Sequence, residues 1–447
     1  MILTHFKEIL NNFIFYLYPT FEITEEVEFY DQQYASLNDD GTLNIKGDIH
    51  GIKGYKIKRE RPFLPEDCTL LTSFISEVNL IESYPNLSEE YVETLIQSAL
   101  NKAIATTLST VSTSTITMVI NSLSKFSERT YEGRNISFGV VINDKISCNN
   151  RVDNVYFTKF ISSPFAAVLT NGTESFIEVD SDGYVNRYVQ LNSEKSDLAL
   201  APYNYTRILE YSGEDVTAIV LTAKGEILIY HDSELRYTKR GGRWNPYSHK
   251  ETIKLIHERS KNDNLLFAKA VYLTAIDVSF TQTGGIISFL DENEVQNALN
   301  HINIKDICNE KYFEIKRKLM AESNDPEYES IKNITFEEFL TLKQNIKSCL
   351  LNRLIDGRKF FMLYRKLRQE LVGIDGATII DYNGDIVAIG AIVKIEAGST
   401  GGGRVAAART LSHYGISIEI SSDSSIKGFA LDENDEPEAI FTISDFQ

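Results

Sequence analysis

What the chain lacks narrows its possibilities first. No stretch of the 447 residues approaches the ~18 uncharged apolar residues that a membrane helix needs. Ile9 to Phe21 is apolar and aromatic, but it is short and no small-residue cleavage site follows, so a packed helix or strand is expected there rather than a signal peptide. The four cysteines, Cys68, Cys148, Cys308 and Cys349, are far apart and form no CxxC pair. That pattern excludes a disulfide framework and a zinc site, and a reducing cytoplasm is the simplest compartment. Positive charge is also scarce: 45 Lys and Arg face 63 Asp and Glu, a net charge of −18. Such a field repels DNA, RNA and anionic membranes. Any phosphate ligand must be captured by a local set of donors, which a small nucleotide permits and a nucleic-acid polymer does not.

What is present is globular. Hydrophobic residues make up 43% and charged residues 24%, and the length calls for two or three domains. A mixed, largely helical region is expected over 1–130, a β-rich hairpin domain over 131–250, and an α/β nucleotide-binding domain over 251–447 with a helical insertion at about 291–345. In the first region Ser88-Glu89-Glu90 supplies an acidic helix start, and the Ser/Thr-rich Thr106 to Thr117 reads as close-packed helix with hydroxyls bonding back to the chain. The alternative is a flexible linker. A strand-turn-strand pattern recurs in three segments, Phe165 to Val179 around Asn171-Gly172, Ala218 to Tyr230 around Lys224-Gly225, and Ala377 to Ile389 around Asn383-Gly384. Hairpins are common, so the likeness counts as architecture only. Lys239-Arg240-Gly241-Gly242-Arg243-Trp244 holds the only tryptophan, either in a tight turn tucked into a domain interface or in a phosphate or base-stacking loop. Helices are expected over Tyr247 to Phe280 and Lys347 to Leu371, and Thr283 to Leu290 has the pattern of a buried strand.

The chemistry concentrates near the C-terminus. Asp375-Gly376-Ala377 opens a run of β-formers, so Asp375 stands at a strand edge, able to hold a ribose hydroxyl or a metal ion, while Gly376 permits close approach to the backbone. Turn capping is the plainer role for Asp375. Further on, Ser399-Thr400-Gly401-Gly402-Gly403-Arg404 precedes an alanine-rich helix former. Consecutive glycines at a helix N-terminus expose N–H donors where the dipole favours an anion. Arg404 and Arg409 are available to clamp phosphate, and Ser399 and Thr400 add hydroxyls. No Gly-Lys-Ser/Thr closes the loop, so it is not a Walker A motif. Asp423, in the polar turn after the strand Ile416 to Ile420, is a second candidate metal ligand, or simply a solvated turn residue.

These three elements, in this order, resemble the diadenylate cyclase (DAC, DisA_N-like) family, which joins two ATP molecules into cyclic di-AMP. Asp375-Gly376-Ala377 matches the family's Asp-Gly-Ala strand, and Thr283-Gly284-Gly285-Ile286-Ile287 resembles its early Gly-Ala-Leu-Ile-Val strand. The likeness covers roughly 252–446 without the insertion. It implies an α/β fold with a mixed sheet flanked by helices, preceded here by an α+β N-terminal region. The departures fall on the catalytic positions. Ile374 replaces a common histidine, the family's Arg-His-Arg becomes Gly403-Arg404-Val405, and its acidic pair becomes Ser422-Asp423. Metal ligands and cationic stabilisation of a pyrophosphate leaving group are thinned, while binding donors remain. The pattern is similar to the sensor-type relatives of the family (the DACNG/DACNV-like group), proposed nucleotide sensors in bacterial conflict systems. The resemblance therefore implies a sensor of ATP or a cyclic dinucleotide, with Mg or Mn possible alongside the nucleotide and a homodimer or higher oligomer possible. The alternative is an active cyclase using Asp375 and Arg404, with Asp375 and Asp423 on the metal.

Overall fold

The computed structural model describes residues 17–18, 21–30, 34–47, 52–59, 62–82, 89–145, 154–260, 264–395 and 402–443. The chain forms two compact units, 1–247 and 248–447.

The first unit begins with strands β1 (Glu22–Glu28), β2 (Ala35–Leu37), β3 (Leu43–Lys46) and β4 (Lys53–Lys58), an antiparallel sheet in the order β1-β4-β3-β2. Helices α1 (Pro65–Glu82), α2 (Glu89–Leu108) and α3 (Thr113–Phe126) follow, then the small hairpin β5 (Thr130–Tyr131) and β6 (Arg134–Asn135). The main sheet comprises β7 (Phe138–Asn143), β8 (Ser175–Asp180), β9 (Val185–Gln190), β10 (Val216–Leu221), β11 (Ile227–His231), β12 (Glu234–Arg240) and β13 (Arg243–Pro246), with a short helix α4 (Phe157–Ile161) between β7 and β8. Its order is β13-β12-β11-β10-β7-β8-β9; β7 and β8 run parallel and every other pair antiparallel. Leu43 and Ile57 of the small sheet, Leu70 and Phe74 of α1 and Val140 of β7 belong to one hydrophobic core. No boundary falls at 130, because the helices before it and the sheet after it bury their apolar faces against each other.

Several local expectations are refined here. Thr106, Thr113 and Thr117 each donate to the carbonyl four residues back, as close-packed helix requires, yet the helix breaks between Leu108 and Thr113, where Ser109 and Ser112 both donate to Asp144. Phe165 to Thr170 is not a strand. Pro164 starts a 3₁₀ turn, Pro164–Val168, and the hairpin partner of β8 lies after it instead, in β9. The hairpin Ala218 to Tyr230 is present as β10 and β11. Gly241 and Gly242 make the β12–β13 turn with φ of +52° and +83°. Trp244 is buried in this unit's core, its Nε1 donating to Asn101 Oδ1 at 2.9 Å while Lys239 lies over its ring.

The second unit opens with α5 (His249–Arg259) and α6 (Leu265–Thr281), two helices where one long helix was expected, and Asn264 caps the second by accepting from Leu266 N. Helix α6 is buried from Phe267 to Ser279 apart from Lys269, so it is a central helix rather than an amphipathic surface one. Strand β14 (Gly285–Leu290) follows, then α7 (Val295–Ala298), α8 (Glu310–Glu322), α9 (Tyr328–Ile331), α10 (Phe336–Thr341), α11 (Ile346–Ile355) and α12 (Arg365–Val372). The helical insertion is no appendage: Phe313, Phe336 and Phe339 stack together inside the same core as Ile379 and Leu411. The helix expected over Lys347 to Leu371 is interrupted because Asp356 and Gly357 turn left-handed, at φ +51° and +66°. Strands β15 (Ala377–Asp381) and β16 (Ile386–Ala391), helix α13 (Gly403–Ser412), and strands β17 (Gly415–Ile420), β18 (Ile426–Leu431) and β19 (Pro437–Ile443) complete the fold. The sheet order is β16-β15-β14-β17-β18-β19; β14 and β15 are parallel and the other pairs antiparallel. The protein is thus a mixed α/β fold with sheets flanked by helices.

A buried ion pair ties α12 to α6. Arg365 Nε and Nη2 donate to the two carboxylate oxygens of Asp277 at 2.6 and 2.9 Å, and both side chains are fully enclosed. Among the described residues no helix is long and apolar enough to cross a membrane.

Candidate functional site at one edge of the second sheet

Strand register decides which segments meet. In the parallel pair Ile286 stands beside Ala377, so Thr283-Gly284 and Asp375-Gly376 emerge at the same edge. Strand β17 runs the other way, with Gly285 beside Ile420, so its following turn, Ser421 to Ser425, ends there too. The N-terminus of α13 completes the set. Four loops from distant parts of the chain therefore converge on the amino ends of β14 and β15. In open α/β sheets ligands gather at the carboxyl ends of the strands, so this arrangement is a different one.

Arg404 confirms the convergence at the level of side chains. It is exposed, and its Nη2 lies 3.5 Å from the Thr283 carbonyl, across 121 residues of chain. A Cβ added to Gly284 would sit 2.8 Å from Arg404 Nη1, and Gly284 has φ +69°. Glycine at 284 thus serves twice, turning the chain and making room for the guanidinium. Thr283 and Gly284 were not singled out as site residues from sequence. Their signals in the sequence were a Gly-Gly before a buried strand and the resemblance of that strand to the early strand of the cyclase family.

The glycines of the site differ in kind. Gly376, at φ +104°, would place a Cβ 2.5 Å from the Gly390 carbonyl carbon, and Gly390 in turn faces Ile374 and the Asp375 carbonyl. Packing of β15 against β16 alone requires Gly376. Gly402 and Gly403 are the opposite case. Gly402 is the N-cap of α13 at φ −67°, and a Cβ at either position would meet nothing among the described residues. Glycine in a helix costs about 0.5–1 kcal/mol relative to alanine. Gly402 suits its N-cap position, so Gly403, at the first helical position, is the one for which neither φ nor the packing of the described residues gives a reason. Ser399, Thr400 and Gly401 lie outside the described residues.

Asp375 is exposed, with no ion-pair partner among the described residues, and Ala377 is fully buried as the first residue of β15. Asp423 is exposed and caps its own turn, its Oδ1 accepting from Ser425 N at 3.0 Å. Among the described residues no group of three His, Cys, Asp or Glu converges as a metal cage. Arg409 is not brought to the glycine turn. Six residues beyond Gly403, it lies about 9 Å further along the axis, with its guanidinium over the Phe429 ring at 5.6 Å and a buried Nε. One further carboxylate stands near this edge: Glu419, 4% exposed, opposite Ile286 on one side and Lys427 on the other.

No family model matches the chain, and no curated protein matches it. The site stands on its own geometry. Among the described residues it offers the backbone donors of the α13 N-terminus with the helix dipole behind them, one exposed guanidinium and one exposed carboxylate on a neighbouring loop. That set is chemically matched to an anion bearing hydroxyls. Among the described residues it lacks a converging metal cage and a second cation beside the turn.

Proposed function

We propose that the second unit binds a nucleotide, ATP or a cyclic dinucleotide, and acts as a sensor module rather than as a cyclase. The observation that carries this reading is the pair Gly402 and Gly403. They stand at the start of an alanine-rich helix, with no described residue within 4 Å of where a Cβ would be. A phosphate seated on the exposed N–H groups accounts for that space, because a Cβ would obstruct its approach. Arg404 supplies the charge, and Asp375 supplies an acceptor for a ribose hydroxyl. The resemblance to diadenylate cyclases chooses nucleotides among phosphates, and the altered catalytic positions favour holding over transforming. A reducing cytoplasm and a dimeric or higher assembly accord with the same reading.

The test is a thermal-shift screen of the full chain against ATP, cyclic di-AMP and related dinucleotides, with and without Mg²⁺ or Mn²⁺. Stabilisation by at least one adenine nucleotide is expected, and saturating ligand at a hundred times Kd gives about 2.7 kcal/mol. No shift with any of them overturns the binding reading. Robust conversion of ATP to cyclic di-AMP under the same conditions overturns the sensor reading in favour of catalysis.

A further inference from the structure

The main sheets of the two units are the same sheet. Each chain path enters at an inner strand (β7, β14) and lays the next strand parallel beside it (β8, β15). It then turns back antiparallel at the edge (β9, β16), crosses to the other side (β10, β17) and meanders outwards through β11–β12 and β18–β19. Only β13 has no counterpart among the described strands. In each unit one long helix, α3 or α6, precedes the inner strand and packs on it and on the strand across from it.

The irregularities coincide as well. The first hairpin shifts register between Glu178 and Val179 in one unit and between Ile379 and Ile380 in the other, where a further shift between Ala377 and Ile379 has no counterpart. Its turn closes identically: Asp180 Oδ1 accepts from Tyr184 N at 2.9 Å, and Asp381 Oδ1 from Asp385 N at 2.8 Å. Gly183 and Gly384 take φ +91° and +86°, and their carbonyls accept from Phe157 N and Phe360 N. On the far side the ladders slip between Ile229 and Tyr230 and between Gly428 and Phe429. The turn after β10 places Gly225 at φ +79°, where the turn after β17 places Ser424 at +82°. A shared topology does not dictate where bulges fall, so two bulges and two turns in common mark copies of one fold.

The binding features are not shared. Six residues before the turn aspartate, Glu174 stands where Asp375 stands, and Glu174 is paired with Arg207. Ser175 replaces Gly376. In place of α13 the first copy has a 3₁₀ helix, Tyr203–Glu210, entered through Pro202. The connection 191–215 holds a single glycine, Gly213, far from that helix start. No glycine row remains there, and the arginine is neutralised by a carboxylate. We infer that the protein is a tandem of two copies of one α/β fold, of which only the second is built to take a nucleotide, so each chain binds no more than one. This rests on the nucleotide reading of the second unit.

Equilibrium dialysis of the full chain with radiolabelled ATP tests it. Saturation at one ATP per chain is expected, lost in Arg404→Ala and unchanged in Arg207→Ala. Two ATP per chain, or a site that survives Arg404→Ala and disappears in Arg207→Ala, overturns the inference. Absence of binding both of ATP and, in a parallel dialysis, of cyclic di-AMP instead refutes the nucleotide reading, and crystallography of the same chain then decides the duplication independently. The two sheets must superpose strand for strand with bulges at the positions given, and displacement of either bulge by one residue overturns it.

Discussion

Replacing Arg404 by alanine separates binding from folding with unusual clarity. The side chain is exposed, lies over Gly284 and makes one hydrogen bond within the described residues, a long one of 3.5 Å to the Thr283 carbonyl. A surface change of this kind shifts stability by no more than about 0.5 kcal/mol. In a unit of this size that is roughly 1–2 °C in Tm. A hydrogen bond from a guanidinium to phosphate contributes about 1.5–3 kcal/mol, and Arg404 is the one arginine brought to the glycine turn among the described residues. Loss of affinity by about 10- to 150-fold is therefore expected, enough to abolish a micromolar signal. Titration calorimetry with ATP and with cyclic di-AMP measures the affinity, and differential scanning fluorimetry without ligand measures the fold. Arg404→Lys is expected to recover only part of the loss, because an ammonium keeps the charge but not the planar fork. The reasoning fails if Arg404→Ala lowers the ligand-free Tm by about 5 °C or more, several times the surface-change shift, while affinity is unchanged. That outcome makes the arginine a structural strut over Gly284 and nothing else.

Gly403→Ala is expected to raise ligand-free stability by up to about 0.5–1 kcal/mol, since no described residue obstructs a Cβ there, while weakening nucleotide binding; a variant that binds normally removes the argument from open space. Gly376→Ala goes the other way, costing about 1–3 kcal/mol through its φ of +104° and the close approach of Gly390, as read from urea midpoints. Arg365→Ala takes the bidentate guanidinium from buried Asp277 and is expected to cost about 3–5 kcal/mol, whereas the double replacement Arg365→Met with Asp277→Leu restores much of it, a contrast that thermal melts resolve. Alkaline stability follows from burial, which pushes the Cys308 thiol and the Tyr237 hydroxyl each up to about 12. The folded chain then keeps protons that the unfolded chain releases near pH ~8.5 and ~10. Stability is full below those values and lost as pH rises towards 12. Melts of Cys308→Ala are expected to show a smaller decline between about pH 9 and 10 than the wild type.

How much of this was legible beforehand depends on the range of the interaction that decides it. The segments flanking the site were readable because their signals are local: β-formers after Asp375-Gly376, alanines after Gly402-Gly403. That the first of those glycines is a packing necessity and the other two are not was unreadable, because it turns on where Gly390 runs. Arg409 was grouped with Arg404 by proximity in sequence. Helical geometry places it over Phe429, a contact no spacing within the helix announces.

The hairpins show the same division more sharply. Of three segments that looked alike in sequence, Phe165 to Val179 is not a hairpin, and its apolar run is a 3₁₀ turn started by Pro164. The first-unit hairpin that matches Ala377 to Ile389 begins where that segment ends, with Asp180-Ser181-Asp182-Gly183 answering Asp381-Tyr382-Asn383-Gly384. Little identity survives beyond the aspartate and the glycine, and those are the two positions whose backbone the turn constrains: the carboxylate accepts the N–H four residues on, and the glycine takes positive φ. At the second turn even that constraint has relaxed, since Ser424 holds the left-handed place of Gly225. Sequence therefore retains the copy only where local geometry penalises change, while strand order and bulges, fixed by many weak cross-strand contacts, keep it throughout. By the same logic the glycine turn before α13, which no described residue of the sheet requires, is the feature that the proposed ligand accounts for.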